Sequence, residues 1–191
     1  MSPDAWLHVA FLLVILALAV RLRTALAQER ELAGTDALTG IANRRRFDEA
    51  AALALRAMGT AHVPVTAVYL DLDGFKQVND RLGHAGGDAL LKLVATTLAG
   101  AVRRGDTVAR LGGDEFAMLL VGADQECASA LLARLQATLR AALRPWPVTA
   151  SIGAVSFSTP PATTDEMLRR TDAVLYEVKR AGKDDLRIAV S

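Results

Sequence analysis

The 191-residue sequence predicts an α/β class fold, an α+β sandwich in which a mixed central sheet is flanked by helices. Three observations predict it. Runs rich in β-branched residues alternate with stretches of helical period. A Gly-Gly pair at 112–113 separates two short apolar runs as the turn of a hairpin. Beyond an apolar N-terminal segment there remain about 160 residues, enough for one well-buried core. The charge balance of 22 basic and 21 acidic residues gives no global attraction to nucleic acid. The single cysteine, Cys127, excludes an intramolecular disulfide framework and reads as structural.

Residues 6–20 read WLHVAFLLVILALAV, with His8 as an interfacial or tolerated polar residue. Extended to 5–22, with Arg21 and Arg23 reaching back to headgroups, the run approaches the roughly 20 residues of a bilayer span. Its lack of a polar face argues against a buried core helix. Ala25-Leu26-Ala27 leaves a cleavable signal peptide as a rival. No Lys or Arg precedes the run and two arginines follow it, which favours an uncleaved N-terminal transmembrane helix over residues 1–23. That places the chain as single-pass in the inner membrane, with the remainder in the cytoplasm. Residues 24–34 are expected to form a linker helix running on from Arg21 and capped by Gly34, with Leu22, Leu26 and Leu32 as a weak partner-facing stripe. The folded domain is placed at 35–191.

Residues 35–57 read as a loop passing into a helix, with 50–58 rich in Ala and Leu. Residues 63–72, VPVTAVYLDL, read as a central strand, and 72–76 as a turn. A helix is expected over 88–102, where Leu90, Leu91, Val94, Leu98 and Val102 share one face. Strands at 108–111 and 116–121 flank Gly112-Gly113. Residues 126–143 form a second amphipathic helix, and 148–157 a strand interrupted at Gly153. Residues 158–164 read as a loop. Thr163 with Glu166 makes a capping box for a helix to about Arg180, and 188–190 a last short strand.

The acids carry the chemistry. Asp71 closes an apolar strand, and Asp114 opens another just after a tight hairpin. If those strands are neighbours, both carboxylates gather at one sheet edge, where, unpaired, they raise each other's pKa. Hard oxygen ligands so placed suit Mg²⁺, which keeps waters and takes substrate phosphates as its other ligands. Taken singly, each acid also reads as an ordinary turn residue. The backbone of 72–76 is able to face a phosphate, and Lys179 and Lys183 to reach a triphosphate. Taken alone, those lysines read as a solvated helix face.

The segments occur in an order that resembles the GGDEF domain family, the diguanylate cyclases that make cyclic di-GMP. DALT at 36–39 with NRR at 43–45 is similar to the family's opening motif. DLDGFKQVNDRLGHAGGD at 71–88 resembles its DxDxFKxxND…GHxxGD stretch. GGDEF stands intact at 112–116, SIG at 151–153 resembles its strand motif, and DAVLYEVKRAGK at 172–183 its closing helix. The resemblance covers about 34–188 and implies a fold similar to nucleotidyl cyclase and polymerase palm domains.

It also implies roles. Asp71 and Asp114, helped by the Leu72 carbonyl, would hold two Mg²⁺ ions per active site, with Mn²⁺ as a substitute. Glu115 would be needed either as a ligand or to help deprotonate a 3′-hydroxyl. Asn79 and Asp88 would read the guanine edge, which adenine cannot match. Phe75, Lys76, Lys179 and Lys183 would contact the phosphates, and Gly112 and Gly113 would leave room for nucleotide. Lys183 stands where the family often has Arg, which keeps the charge but loses bidentate geometry. Arg103 and Asp106, with five residues between them and GGDEF, fit the family's RxxD inhibitory site for product. Arg103 also reads as a simple helix C-terminal cap. Asp36 is implied in positioning the dimer, with an N-terminal turn residue as the competing reading. The implied activity condenses two GTP into cyclic di-GMP and pyrophosphate, by two-metal phosphoryl transfer across a homodimer with product inhibition. The implied partners are GTP, cyclic di-GMP, a second copy and a lipid bilayer through residues 5–22, and no nucleic acid. The alternative is a catalytically silent domain acting as a receptor for cyclic di-GMP or GTP. The presence together of Asp71, Asn79, Asp88, Asp114 and Glu115 favours the enzyme.

Overall fold

The structure, a computed structural model, describes residue 8, residues 12–23 and residues 34–191. Residues 12–23 are helical, and their leucines are exposed. Among the described residues, no helix is long and apolar enough to cross a membrane. The rest of the expected span at 5–22 and nearly all of the linker helix at 24–34 lie outside the described residues. Gly34, the one described residue of that segment, has a φ of 75°.

Residues Thr35–Ser191 form a compact unit of their own. Its elements are α1 (Arg44–Ala61), β1 (Val65–Asp73), α2 (Phe75–Ala101), β2 (Thr107–Gly112), β3 (Glu115–Val121), α3 (Gln125–Leu143), β4 (Thr149–Phe157), α4 (Thr164–Ala181) and β5 (Leu186–Val190). The sheet order is β2-β3-β1-β4-β5. All neighbours are antiparallel except β4 and β5, which run parallel across the α4 crossover. The sheet is therefore mixed, as the sequence predicts.

β1 lies in the centre and is apolar along its length because both of its faces are covered. Val68, Leu70 and Leu72 join a core with Leu90, Val94 and Leu98 of α2 and Leu132, Leu135 and Leu139 of α3. Val65 and Ala67 face the other way, into a core with Phe47, Ala51 and Met58 of α1 and Met167 and Leu168 of α4. The period of two along the strand thus separates two helical layers. Asp71 and Asp73, at odd positions, share the α1/α4 side at the end of the strand.

Several elements differ from expectation. α2 starts at Phe75, where a turn was expected, and is two helical segments joined at Gly83, which has φ 69° and ψ 175°. The hairpin turn is Gly113-Asp114 and not Gly112-Gly113, because Gly112 still pairs with Glu115 across a bulge after Arg110. Asp114 therefore sits in the turn and does not open the strand. Gly153 is no interruption of β4. A Cβ there would lie 2.3 Å from the Leu175 nitrogen, so the glycine lets α4 lie directly on the sheet. The Thr163 hydroxyl does accept from Glu166 N–H at 3.1 Å. The Glu166 carboxylate answers one residue early, accepting from Ala162 N–H at 2.8 Å.

Candidate active site

The pairing of β1 with β3 sets Asp71 opposite Glu115 at one end of the sheet. The Gly113-Asp114 turn adds a third carboxylate there. A cavity of about 220 Å³ opens at this end, lined by Asp71, Leu72, Asp73, Gly74, Phe75, Lys76, Asp114, Lys179 and Lys183. It gathers residues from the end of β1, the hairpin turn, the start of α2, the last turn of α4 and the loop beyond it.

The charges around it are unevenly satisfied. Lys179 Nζ lies 2.8 Å from Asp71 Oδ2. Asp114 is half-buried, and burial, together with the neighbouring Asp71 carboxylate, raises its pKa above the ordinary 3.8. Glu115 is exposed and accepts a hydrogen bond from the Tyr69 hydroxyl at 3.2 Å. Burial, and then the Glu115 charge, push the Tyr69 phenol well above its usual range.

The start of α2 carries no side-chain cap. Its N-cap is Gly74, with φ 88°. Gln77 N–H donates to the Gly74 carbonyl at 2.9 Å, while Gly74, Phe75 and Lys76 line the cavity, so that the helix N-terminus borders it, an arrangement suited to anions. At the hairpin, a Cβ built on Gly112 or Gly113 meets nothing within 4 Å, so the space beside this backbone is open.

Asn79 and Asp88 lie outside the lining of the acid cavity, on either side of the Gly83 break. The break folds the two segments of α2 together: a Cβ on Gly87 would lie 2.1 Å from Asn79 Oδ1 and 3.2 Å from Phe75 Cζ. Asn79 is therefore packed against the residue preceding Asp88.

Arg103 and Asp106 stand at the opposite end of β3. Asp106 is closely engaged there: its carboxylate accepts from Val121 N–H at 3.1 Å and from Arg103 N–H at 3.2 Å, and its side chain is 2% exposed. The Arg103 side chain is 64% exposed, and its Nη2 donates to the Val121 carbonyl at 2.6 Å. Both residues line a separate cavity of about 270 Å³ with Cys127 and Arg134.

Asp36 sits behind the hairpin. It accepts from Thr39 N–H at 2.9 Å and Thr39 Oγ1 at 2.6 Å, and Arg110 Nη1 lies 3.3 Å from both of its oxygens. Burial opposes its charge, but the Thr39 hydrogen bonds and the Arg110 guanidinium prevail and lower its pKa. Arg110 Nε also donates to the Gly113 carbonyl at 2.9 Å. One guanidinium thereby ties the opening loop to the turn that carries Asp114.

The sequence reading missed Arg110, Asp73 and Tyr69. A charge within the apolar run VARLGG was the available signal for Arg110. Asp73 is buried, and its Oδ2 accepts from Ser151 Oγ (2.8 Å), Thr149 Oγ1 (3.0 Å) and Asp184 N–H (3.3 Å). Those partners lie 76 or more residues away, beyond the reach of local pattern.

The comparisons with known proteins agree with this architecture. The profile described as "Diguanylate cyclase, GGDEF domain" matches residues 33–185, and the chain belongs to the GGDEF domain family. Diguanylate cyclase DgcP of Pseudomonas aeruginosa is 36% identical over 169 residues, covering 86% of this chain and 25% of that protein. Diguanylate cyclase TpbB of the same species is 36% identical over 160 residues, covering 81% of this chain and 37% of that protein. The chain thus spans well under half the length of these relatives. The coiled coil and GGDEF domain of DgcB from Caulobacter crescentus, solved in complex with c-di-GMP, superposes with a TM-score of 0.76 at 29% identity. That match covers 94% of this chain and 98% of that one.

Proposed function

We propose that this chain is a diguanylate cyclase that condenses two GTP into cyclic di-GMP. The observation that carries the reading is the cavity at the end of β1, where Asp71 and Asp114 meet Lys179, Lys183 and the uncapped start of α2. In each of two successive steps a 3′-hydroxyl of one nucleotide attacks the α-phosphorus of the other. A new P–O bond forms, the bond to the β-phosphate oxygen breaks, and pyrophosphate leaves.

The residues present fit a divalent cation. Asp71, Asp114 and the Leu72 carbonyl are hard oxygen donors, and burial, with the Asp71 carboxylate beside it, raises the pKa of Asp114 despite the charges of Lys179 and Arg110. Three carboxylates stand at this end of the sheet, but among the described residues no three side chains converge closely enough to hold a metal by themselves, so phosphates and water would complete the coordination. Bound there, Mg²⁺ would make the attacking hydroxyl more acidic and neutralise charge on the phosphates. Lys179, which pairs with Asp71, supplies a cation that the triphosphate can share. The α2 N-terminus and Lys183 hold further phosphate oxygens. Asn79 and Asp88 hydrogen-bond the guanine edge. Glu115, oriented by Tyr69, stands beside the reacting groups.

One such site holds one GTP, so two copies face each other in the active form. The apolar run at 5–22 anchors the chain in a bilayer and concentrates it for that encounter. Arg103 and Asp106, beside their own cavity, form the site through which product restrains the enzyme.

The test is product formation by the full chain in lipid, with GTP and Mg²⁺, over a range of protein densities. The expected result is cyclic di-GMP, identified by mass, at a rate that rises more steeply than linearly with density. GTP and cyclic di-GMP binding without any product would overturn the enzymatic reading in favour of a receptor.

A further inference from the structure

Lys183 lines the acid cavity, yet it belongs to no regular element. It follows Gly182 just past the end of α4. Both Lys183 (φ 66°) and Asp184 (φ 45°) lie in the left-handed region. That region crowds the Cβ of any residue but glycine, although Asp and Asn tolerate it better than most. Two such residues in succession persist only where their surroundings hold them.

Three contacts hold them. Lys183 N–H donates to the Val178 carbonyl at 3.2 Å. Asp184 N–H donates to Asp73 Oδ2 at 3.3 Å. From α3, Arg140 Nε donates to Asp184 Oδ1 at 3.1 Å, while its Nη2 donates to the Asp184 backbone carbonyl. The Arg140 and Asp184 side chains are 50% and 41% exposed, so the ion pair alone is a weak surface pair. The second bond changes its meaning. By gripping the side chain and the main chain of one residue, the guanidinium fixes how that peptide is oriented.

We propose that Arg140 is a positioning residue for the nucleotide's phosphates: by clamping Asp184 it holds Lys183 in the conformation that lines the acid cavity. Arg140 is absent from the lining of that cavity and faces another, of about 430 Å³, beside Leu139, Leu143 and Trp146. It therefore acts through Lys183 and not on the substrate.

The inference rests on the functional reading above, and its test separates the two. The full chain is titrated calorimetrically, in Mg²⁺, with 3′-deoxy-GTP, which carries the triphosphate but no attacking hydroxyl, and with GMP. Arg140→Ala weakens the triphosphate about tenfold, the size of one charge-assisted contact, and leaves GMP within about twofold. Arg140→Met, which keeps the length of the side chain and removes both donors, does the same and carries the test should Arg140→Ala fail to fold. Adding Lys183→Ala to either variant costs nothing further, because both act through that lysine. Unchanged triphosphate affinity in both variants, equal loss of GMP, or full additivity with Lys183→Ala would overturn the proposal. A wild-type chain that binds neither nucleotide would overturn the functional reading, and this inference with it.

Discussion

Arg110 lies between two aspartates that the fold treats in opposite ways. On one side, Asp36 receives two hydrogen bonds from Thr39 and the guanidinium itself, and its pKa is lowered. On the other, Arg110 holds the Gly113 carbonyl next to Asp114, whose own carboxylate is half-buried near Asp71 and has its pKa raised. Asp106, at the far end of β3, resembles Asp36, since two backbone N–H groups satisfy it. The difference separates acids that build the fold from an acid that the fold keeps at a cost. Such strain is expected where a site is made to hold something else.

The largest expected effect comes from removing that cost. Asp114→Asn should abolish cyclic di-GMP synthesis, by about a thousandfold or more. The same change should raise the melting temperature at neutral pH without divalent ions. With a folded pKa above 3.8, the protonated form of Asp114 contributes stability that is present below 3.8 and lost as pH rises through the folded value. At neutral pH its charge is thus a burden that asparagine removes. Calorimetry and product chromatography on one preparation check both parts. A variant that loses activity and also melts lower would place Asp114 with the structural acids.

Asp106→Ala should act the other way, lowering stability by about 2 kcal/mol by leaving the Val121 and Arg103 N–H groups without their acceptor. Arg103→Ala, at a mostly exposed side chain, should cost less than about 1 kcal/mol and relieve product inhibition with catalysis retained. Denaturant melts and inhibition curves on the two variants decide this. Equal stability losses would erase the distinction between the members of this pair.

A smaller effect is expected at Asp36. Its lowered pKa means a contribution present above 3.8 and lost as pH falls through the folded value. Asp36→Asn should be less stable than wild type by about 1 kcal/mol at neutral pH, the size of a partly screened pair, and the gap should close in acid below 3.8. Urea melts across that window show whether it does.

These distinctions were only partly legible in the sequence. The alternation of strands and helices, the hairpin and the amphipathic faces of α3 and α4 follow from local period, and the structure keeps them. The first segment of α2 was hidden because FKQVNDRLG is polar and ends in the glycine that breaks the helix. The bulge after Arg110, which moves Asp114 into the turn, leaves no mark in residue types. The acids themselves were visible, but their satisfaction was not. Asp106 is fixed by Val121, 15 residues on, and Asp73 by residues of β4 and the loop past α4. A sequence shows where carboxylates stand, whereas only the assembled sheet shows which are buried and what each one pairs with.

The most direct test is the titration of the Asp114 carboxyl, followed by its carbon-13 shift with and without Mg²⁺ and nucleotide. The expected midpoint lies above 3.8 in the free protein and falls when both are added. A midpoint at or below 3.8 that Mg²⁺ and nucleotide leave in place would contradict it.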